Sequence, residues 1–186
     1  PSGGCGLYTA DLLHQVHQVT GEFFDEKFFC YAEDTDLAWR AVLLGYRAAY
    51  ADNALVYHKG SLASGGPNND FVLYHGVRNS LFVLVKCVPA HLVWPNFGWI
   101  LLAHIAIPLR HALRGKIRII GRLYRDFLSG APAMWRKRRH LRKCNPVRDF
   151  KVGLLVNRAF YERAYIRQAL LEIKGFFIPS SNRSDA

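Results

Sequence analysis

The sequence predicts an α/β region followed by a mostly helical extension. Up to about residue 60, short apolar runs of strand length alternate with segments of helical periodicity. The loop of residues 61–69, SLASGGPNN, then separates this region from one with an almost wholly helical pattern. A hydrophobic fraction of 51% with 13% aromatic residues excludes a disordered or fibrous chain. We therefore expect residues 1–69 and 70–178 to form two regions, with a disordered tail at 179–186.

The first region is predicted to contain two helices and three short strands. Thr9 can cap a helix that ends at Gly21, and a second helix is predicted over residues 33–44, with Gly45 placed to end it. The strand candidates are residues 6–8, 46–50 and 54–57.

The second region is predicted to be a series of helices. Asp70 can cap a helix over residues 71–88. Further helices are predicted near residues 96–113, 116–128, 132–143 and 147–174.

The positive charge of the chain is confined to one segment. The chain has a formal charge of +11, and residues 110–143 carry twelve basic residues against one acid, which accounts for all of it. This segment follows residues 87–109, which bear no formal charge and exceed the ~20 apolar residues that span a bilayer as a helix. Pro89, Pro95 and Pro108 interrupt that stretch.

These features favour a helix that lies in the membrane interface or re-enters it shallowly, on the cytoplasmic face of the cell membrane. The alternative is a core helix of a soluble protein. In the membrane interpretation, aromatic side chains lie at headgroup depth and basic side chains face anionic lipid. The predicted membrane-facing residues are Trp94, Phe97, Trp99, Arg136, Lys137, Arg138 and Arg139.

Three carboxylates crowd the start of the second predicted helix. Glu33, Asp34 and Asp36 occupy three of four positions, and His58 follows 24 residues after Asp34. Acids in a first turn can simply stabilise the helix dipole, by about 0.3–1 kcal/mol each. However, two acids would suffice for that, and a third adds repulsion. The crowding therefore also suggests a general base, or a site for a metal or a hydroxyl substrate.

Residues 1–90 resemble the second half of a family 2 glycosyltransferase with the GT-A fold. The motifs that carry the resemblance are GGCG at residues 3–6, GEFFDEKFF at 21–29, ED-x-DL-x-x-R at 33–40, GYR at 45–47, VYH at 56–58 and the Arg78-Asn79 pair. More narrowly, the pattern is similar to the rhamnosyltransferase-like members that build bacterial cell-surface polysaccharide. The resemblance implies that residues 1–69 are the C-terminal, acceptor-side half of a Rossmann-like GT-A domain.

The resemblance also implies roles for individual residues. Asp34 would be the catalytic base of an inverting transfer, with Glu33 orienting it or the acceptor. His58 would help to bind the metal or the donor diphosphate. The cleft between donor sugar and acceptor would be lined by Gly3, Gly4, Cys5, Gly6, Phe24, Asp25, Asp36 and Arg40. Asp36 with Arg40 would also stabilise the helix and its approach to the site.

The resemblance further implies a divalent metal, Mg²⁺ or Mn²⁺, no organic cofactor, and a nucleotide-diphosphate-sugar donor. The acceptor would be a saccharide, and a lipid-linked one fits the membrane signals. In the family the metal-binding DxD motif ends a strand in the first half of the domain. The DTD at residues 34–36 opens a helix, so we do not interpret it as that motif. We thus expect an N-terminal lobe as the partner of this chain, and no activity from the chain by itself.

Two other classes of function remain as alternatives. A non-catalytic peripheral membrane-binding module would account for residues 87–143 but not for the carboxylates. Nucleic-acid binding would suit the basic run at residues 136–143, but no recognisable nucleic-acid motif accompanies it. We expect no nucleic-acid partner.

Overall fold

The computed structural model describes residues 5–51, 53–57, 69–144 and 151–153. Helices account for 72% of these residues, and none of them lies in a strand. The predicted α/β class is therefore wrong for the described part of the chain, which is helical. The three segments predicted as strands are irregular. A strand needs a hydrogen-bonded neighbour, and among the described residues no other strand is present to supply one. Their most exposed apolar side chains are Leu7, Tyr50, Leu55 and Tyr57.

Six α-helices of four or more residues form the described structure. They are α1 (Ala10–Thr20), α2 (Glu33–Leu43), α3 (Asp70–Lys86), α4 (Ala90–Val93), α5 (Phe97–Ala112) and α6 (Ile117–Cys144), with a 3₁₀ turn at Trp94–Asn96 between α4 and α5.

The predictions for α1 and α2 are confirmed. The Thr9 hydroxyl accepts a hydrogen bond from the Leu12 N–H at 3.4 Å, and Gly21 ends α1 with a φ of 75°. Gly45, with a φ of 94°, follows the end of α2. Both are positions where a left-handed backbone favours glycine. The two helices pack through a small apolar core that contains Leu12, Val16, Leu37 and Leu44.

The larger core lies between α3 and α6. Residues 116–143 were predicted as two helices, but α6 runs unbroken through Pro132. Apolar side chains on both sides of this proline pack against the same core, and this burial outweighs the hydrogen bond that the proline removes. Glycine at position 130 allows the close approach, because a Cβ atom there would lie 2.6 Å from the Phe82 ring. The buried members of this core are Phe28, Phe82, Val83, Cys87, Val88, Met134 and Leu141.

The two predicted regions share this core. Phe28, which precedes the predicted boundary at residue 69, is fully buried against residues of α3 and α6. The predicted loop at 61–69 and the predicted helix at 147–174 fall largely outside the described residues, and the predicted tail at 179–186 falls entirely outside them.

The segment Ala90–Ala112 is long and apolar enough to cross a membrane. It has 23 residues, and its most apolar window has a mean hydropathy of 1.5 and is not buried within the protein. One side of α5 contacts α6, where the Tyr124 hydroxyl donates a hydrogen bond to the His104 carbonyl at 3.2 Å. The exposed side includes Trp94, Phe97, Trp99, Leu101, Leu102, Ile105 and Leu109.

Candidate functional site

The backbone that leads into α2 adopts an uncommon conformation. Phe29, Tyr31 and Ala32 have φ angles of 61°, 67° and 64°. Ala32 is the N-cap residue and has no side chain that could cap the helix. Non-glycine residues in this region are strained by about 1–3 kcal/mol each, and such strain concentrates at functional sites. The strained segment sets the position from which Glu33 and Asp34 project.

A buried amide holds this strained segment in place. Asn79 of α3 is fully buried, and its side-chain NH₂ donates to the carbonyls of Phe28, Cys30 and Tyr31 at 2.8, 2.8 and 2.7 Å. Its neighbour Arg78 donates to the Asn79 side-chain oxygen at 3.0 Å. The Arg78-Asn79 pair therefore fixes the approach to α2 from a helix about fifty residues further along the chain.

Glu33 and Asp34 lie beside Tyr8 at the surface. Asp34 Oδ1 accepts hydrogen bonds from the Thr35 N–H at 2.6 Å and from the Thr35 hydroxyl at 3.2 Å. Burial, followed by the charges of Asp34 and Glu33, raises the pKa of Tyr8 above 10.0. Tyr8 thus keeps its proton at neutral pH and remains a hydrogen-bond donor.

Two buried polar atoms lie at this position. The Tyr8 hydroxyl oxygen and Glu33 Oε2 are both buried, and no group in the described part of the chain hydrogen-bonds to either. Buried polar atoms are normally paired, because an unpaired one costs about 1–3 kcal/mol. A phenol donates and a carboxylate accepts, and a hydroxyl group of a ligand can pair with either kind of atom.

Asp36, the third acid of the cluster, turns inward instead. It is fully buried and accepts from the Arg40 Nε at 2.8 Å, one helical turn further on. The remaining Arg40 N–H groups donate to the carbonyls of Glu22 and Phe23, at 3.1 and 2.7 Å, and to the Thr20 hydroxyl. This pair joins α2 to the segment that follows α1.

Two lysines extend the pair into a buried ion network. Lys86 Nζ lies 2.8 Å from both Asp25 and Asp36, and Lys137 Nζ lies 2.8 Å from Asp25 and 2.7 Å from Glu22. Burial by itself would raise the pKa of Asp25, but the charges and hydrogen bonds of Lys86 and Lys137 outweigh it and lower that pKa below 3.8. The ion network comprises the acids Glu22, Asp25 and Asp36 and the cations Arg40, Lys86 and Lys137.

The ion network is balanced in charge and spans three helices. Its members come from α2, α3, α6 and the segment between α1 and α2. Three acids face three bases, so the interior holds no excess charge and the buried groups satisfy one another. The start of α2 is thereby held against α3 and α6.

Comparison with protein-family models, with curated proteins and with solved structures found no match. The function is therefore argued from this geometry and from the sequence motifs.

Some of the predicted cleft residues are at the surface. Cys5 and Gly6 are exposed, and a Cβ atom on Gly6 would lie 3.1 Å from the Tyr8 hydroxyl. Gly6 is thus adjacent to the Tyr8 hydroxyl. Phe24 is exposed on the segment before α2. Predicted residues Gly3, Gly4 and His58 lie outside the described residues.

Three predicted cleft residues lie in the interior instead. The side chains of Asp25, Asp36 and Arg40 are buried in the ion network and do not line a surface. Asp25 in particular is enclosed because two lysines draw its carboxylate inward. Their contribution to the site is to position α2 rather than to contact a ligand.

The predicted membrane-facing residues likewise divide into exposed residues and residues with internal contacts. Trp94, Phe97, Trp99, Arg136 and Arg139 are exposed. Lys137 belongs to the ion network, and Arg138 donates to the carbonyls of Val85 and Val88 at 3.0 and 2.8 Å. These two side chains make internal contacts because α6 packs directly on α3.

The described residues do not form a metal site. No group of three or more His, Cys, Asp or Glu side chains among them could hold an ion. Asp36, the second acid of the DTD string, is neutralised by Arg40 and Lys86. The predicted divalent metal therefore has no ligand set in this part of the chain.

Sequence reasoning missed the roles of Tyr8, Asn79 and Lys86. Tyr8 is in a predicted strand, Lys86 is in the predicted helix of residues 71–88 with no role of its own, and Asn79 appears only as part of a motif. The sequence does contain a signal for Asn79 and Lys86. Both are polar residues on the helix face that carries the apolar residues Leu73, Phe82 and Val83, which indicates buried polar contacts.

Proposed function

We propose that this chain carries the acceptor-activating part of a glycosyltransferase. The observation that carries the proposal is the pair of buried polar atoms next to Asp34, the Tyr8 hydroxyl and Glu33 Oε2, which have no hydrogen-bond partner among the described residues. A sugar hydroxyl would accept from Tyr8 and donate to a carboxylate. With one hydroxyl held in this way, a neighbouring hydroxyl of the same sugar faces Asp34, which can deprotonate it for attack on an activated sugar donor.

In this proposal Asp34 takes the proton from the acceptor hydroxyl. The oxygen then attacks the anomeric carbon of the donor, the bond to the nucleotide diphosphate breaks, and the configuration at that carbon inverts. Tyr8 and Glu33 hold a neighbouring hydroxyl of the acceptor, so that the reacting hydroxyl faces Asp34. The sequence resemblance supports the choice of a sugar transfer over other reactions of hydroxyl groups.

The donor is proposed to bind mainly to residues outside the described ranges. The described residues contain no metal cluster and no nucleotide-binding loop. An N-terminal lobe would supply the donor site, and exposed apolar side chains such as Leu55 and Tyr57 offer surface for contact with it. Transfer should therefore be measured with the intact enzyme.

The proposed location is a membrane surface. Ala90–Ala112 exposes an apolar, aromatic surface, and the basic residues Arg136 and Arg139 are exposed on α6. An apolar helix next to basic residues is the arrangement expected for binding to anionic lipid. A membrane-bound site would suit a lipid-linked saccharide acceptor.

A membrane-binding module without catalysis is the second candidate, favoured by the same exposed helix. Binding to vesicles does not distinguish the two candidates, since both predict it. Acceptor kinetics do. In the proposed enzyme, Tyr8→Phe removes one hydrogen bond to the acceptor and should raise its KM about three- to tenfold, with donor KM unchanged.

Tyr50→Phe is the matched control, because Tyr50 is 91% exposed and its hydroxyl lies outside the proposed contacts. It should leave both KM values unchanged. Equal acceptor KM values for Tyr8→Phe and the unmodified enzyme would remove Tyr8 from the site and, with it, the main support for the proposal.

A further inference from the structure

Four aromatic rings form a surface cluster next to the proposed acceptor site. The Phe71 ring lies 4.4 Å from His75, 6.3 Å from Phe29 and 6.2 Å from Tyr31, measured between centroids. Phe29 and His75 are 5.5 Å apart. We name these residues, Phe29, Tyr31, Phe71 and His75, the aromatic platform. It joins the strained segment before α2 to the first turns of α3.

Phe29 is the least expected member of the platform. Its ring is 76% exposed although it is large and apolar, and its backbone φ is 61°. A glycine or asparagine would be preferred at such a φ, and a polar residue at such an exposure. Apart from the ring contacts with Phe71 and His75, packing among the described residues does not explain a phenylalanine here. Strain combined with an exposed apolar ring points to a contact made outside the chain.

The surrounding structure holds the platform rigidly. The Arg78 Nη2 lies 3.3 Å from His75 Nδ1 and donates to the carbonyl of Lys27 at 3.1 Å, while Asn79 holds the carbonyls of Cys30 and Tyr31. Burial and the charge of Arg78 lower the pKa of His75, so this ring is neutral at neutral pH. The platform thus presents preorganised, uncharged ring surface, which reduces the entropic cost of binding.

The platform lies within a short reach of the carboxylates. Tyr31 precedes Asp34 by three residues, so their Cα atoms are at most about 11 Å apart. One face of a pyranose ring is made of C–H groups that pack on aromatic rings, and its edge carries hydroxyl groups. We propose that a pyranose unit of the acceptor packs on the aromatic platform while a hydroxyl reaches the Glu33–Asp34 pair.

This inference rests on the proposed function for its ligand, and the local charge favours a saccharide over a membrane. The charged residues beside the platform include the acids Glu26, Glu33 and Asp34 and the bases Lys27 and Arg78, so this surface has no excess of positive charge. It therefore lacks the attraction for anionic lipid that the basic part of α6 has. A neutral, hydroxyl-rich ring needs no such attraction.

The test is saturation-transfer NMR with the 186-residue chain and methyl β-galactopyranoside at millimolar concentration. Saturating the aromatic protons should transfer most strongly to the C–H protons on one face of the sugar. Sorbitol, which has hydroxyl groups but no ring face, is the ligand control and should receive little transfer.

Phe29→Gly is the decisive variant, because glycine tolerates the φ of 61° and the variant loses only the exposed ring. It should fold and lose most of the transfer. Phe23→Ala is the matched control: Phe23 is 45% exposed on the same segment, but its ring stacks on His17, outside the platform. It should keep the transfer.

Three results would contradict the proposed binding of a pyranose to the aromatic platform. These are no sugar signal in the unmodified chain, equal loss in Phe29→Gly and Phe23→Ala, or weaker binding of Phe29→Gly to anionic vesicles with unchanged sugar contact. The last result would assign the rings to the membrane. None of these results depends on turnover. Sugar transfer by the intact enzyme can therefore still require Asp34 when the aromatic platform does not bind sugar. Equally, the platform can bind sugar when transfer does not require Asp34.

Discussion

Replacing Lys86 with methionine should strongly destabilise the fold. The Lys86 ammonium group lies 2.8 Å from both Asp25 and Asp36, and all three side chains are at most 1% exposed. Methionine keeps much of the apolar chain, so the change removes charge with little loss of packing. The ion network would then hold three acids against two bases.

The expected cost is about 3 kcal/mol, the lower end of the range for breaking a buried ion pair. The lower end applies because each carboxylate keeps a second partner, Lys137 for Asp25 and Arg40 for Asp36. Urea unfolding followed by far-UV circular dichroism measures this cost as a change in the free energy of unfolding.

Lys116→Met is the control. Lys116 also forms a close ion pair, at 2.7 Å from Asp70, but the two side chains are 23% and 54% exposed. A pair of this kind contributes about 0–1 kcal/mol. If Lys86→Met and Lys116→Met lowered the free energy of unfolding equally, the buried ion network would not be a major source of stability.

Lowering the pH should also show the interaction between Lys86 and Asp25. The pKa of Asp25 is lowered in the folded chain, so its stabilising contribution is present above the ordinary value of 3.8 and is lost as pH falls through the lowered value. Without Lys86 this lowering is smaller, so acidification costs the variant less. The unfolding free energies of Lys86→Met and the unmodified chain should therefore converge as pH falls below 3.8. Parallel curves would contradict the assignment.

Two further predictions concern α6 and the core. Gly130→Ala should destabilise the chain despite the better helix propensity of alanine, because its Cβ atom would lie 2.6 Å from the Phe82 ring. Gly121→Ala, whose Cβ atom would have nothing within 4 Å, should stabilise the chain by about 0.5–1 kcal/mol. Thermal unfolding that ranks the two variants the other way would refute the close α3–α6 packing. Burial and the nearby Asp36 carboxylate raise the pKa of the Cys87 thiol. Iodoacetamide at pH 8 should therefore alkylate the exposed Cys144 but not Cys87. Equal labelling of the two cysteines in mass spectrometry would place Cys87 at the surface.

Local signals explain which helices could be predicted. Thr9 and Gly21 bound α1 through their own conformational preferences, and the apolar spacing of residues 33–44 indicates one buried face. The strands were wrong because short apolar runs such as residues 46–50 become strands only with a partner, which a local pattern does not show. Pro132 likewise suggests a break in α6, but packing along α3 overrides it.

The site was predictable only where its signals are local. Glu33 and Asp34 stand out as adjacent acids at a helix start. The groups that position them come from far along the chain: Lys86 reaches Asp25 across 61 residues, and Asn79 reaches Phe28 across 51. Nothing in the spacing of a lone lysine or asparagine indicates a partner so distant. The inward turn of Asp36 follows from those same partners.

The most direct test of the central claim, that Asp34 activates an acceptor hydroxyl, is sugar transfer by the intact enzyme carrying Asp34→Asn. Asparagine keeps the shape of the side chain but cannot take a proton at neutral pH. Turnover should fall by about 10²–10⁴-fold, the usual contribution of a general base, while donor binding measured by calorimetry stays unchanged. Near-normal turnover in this variant would contradict the claim.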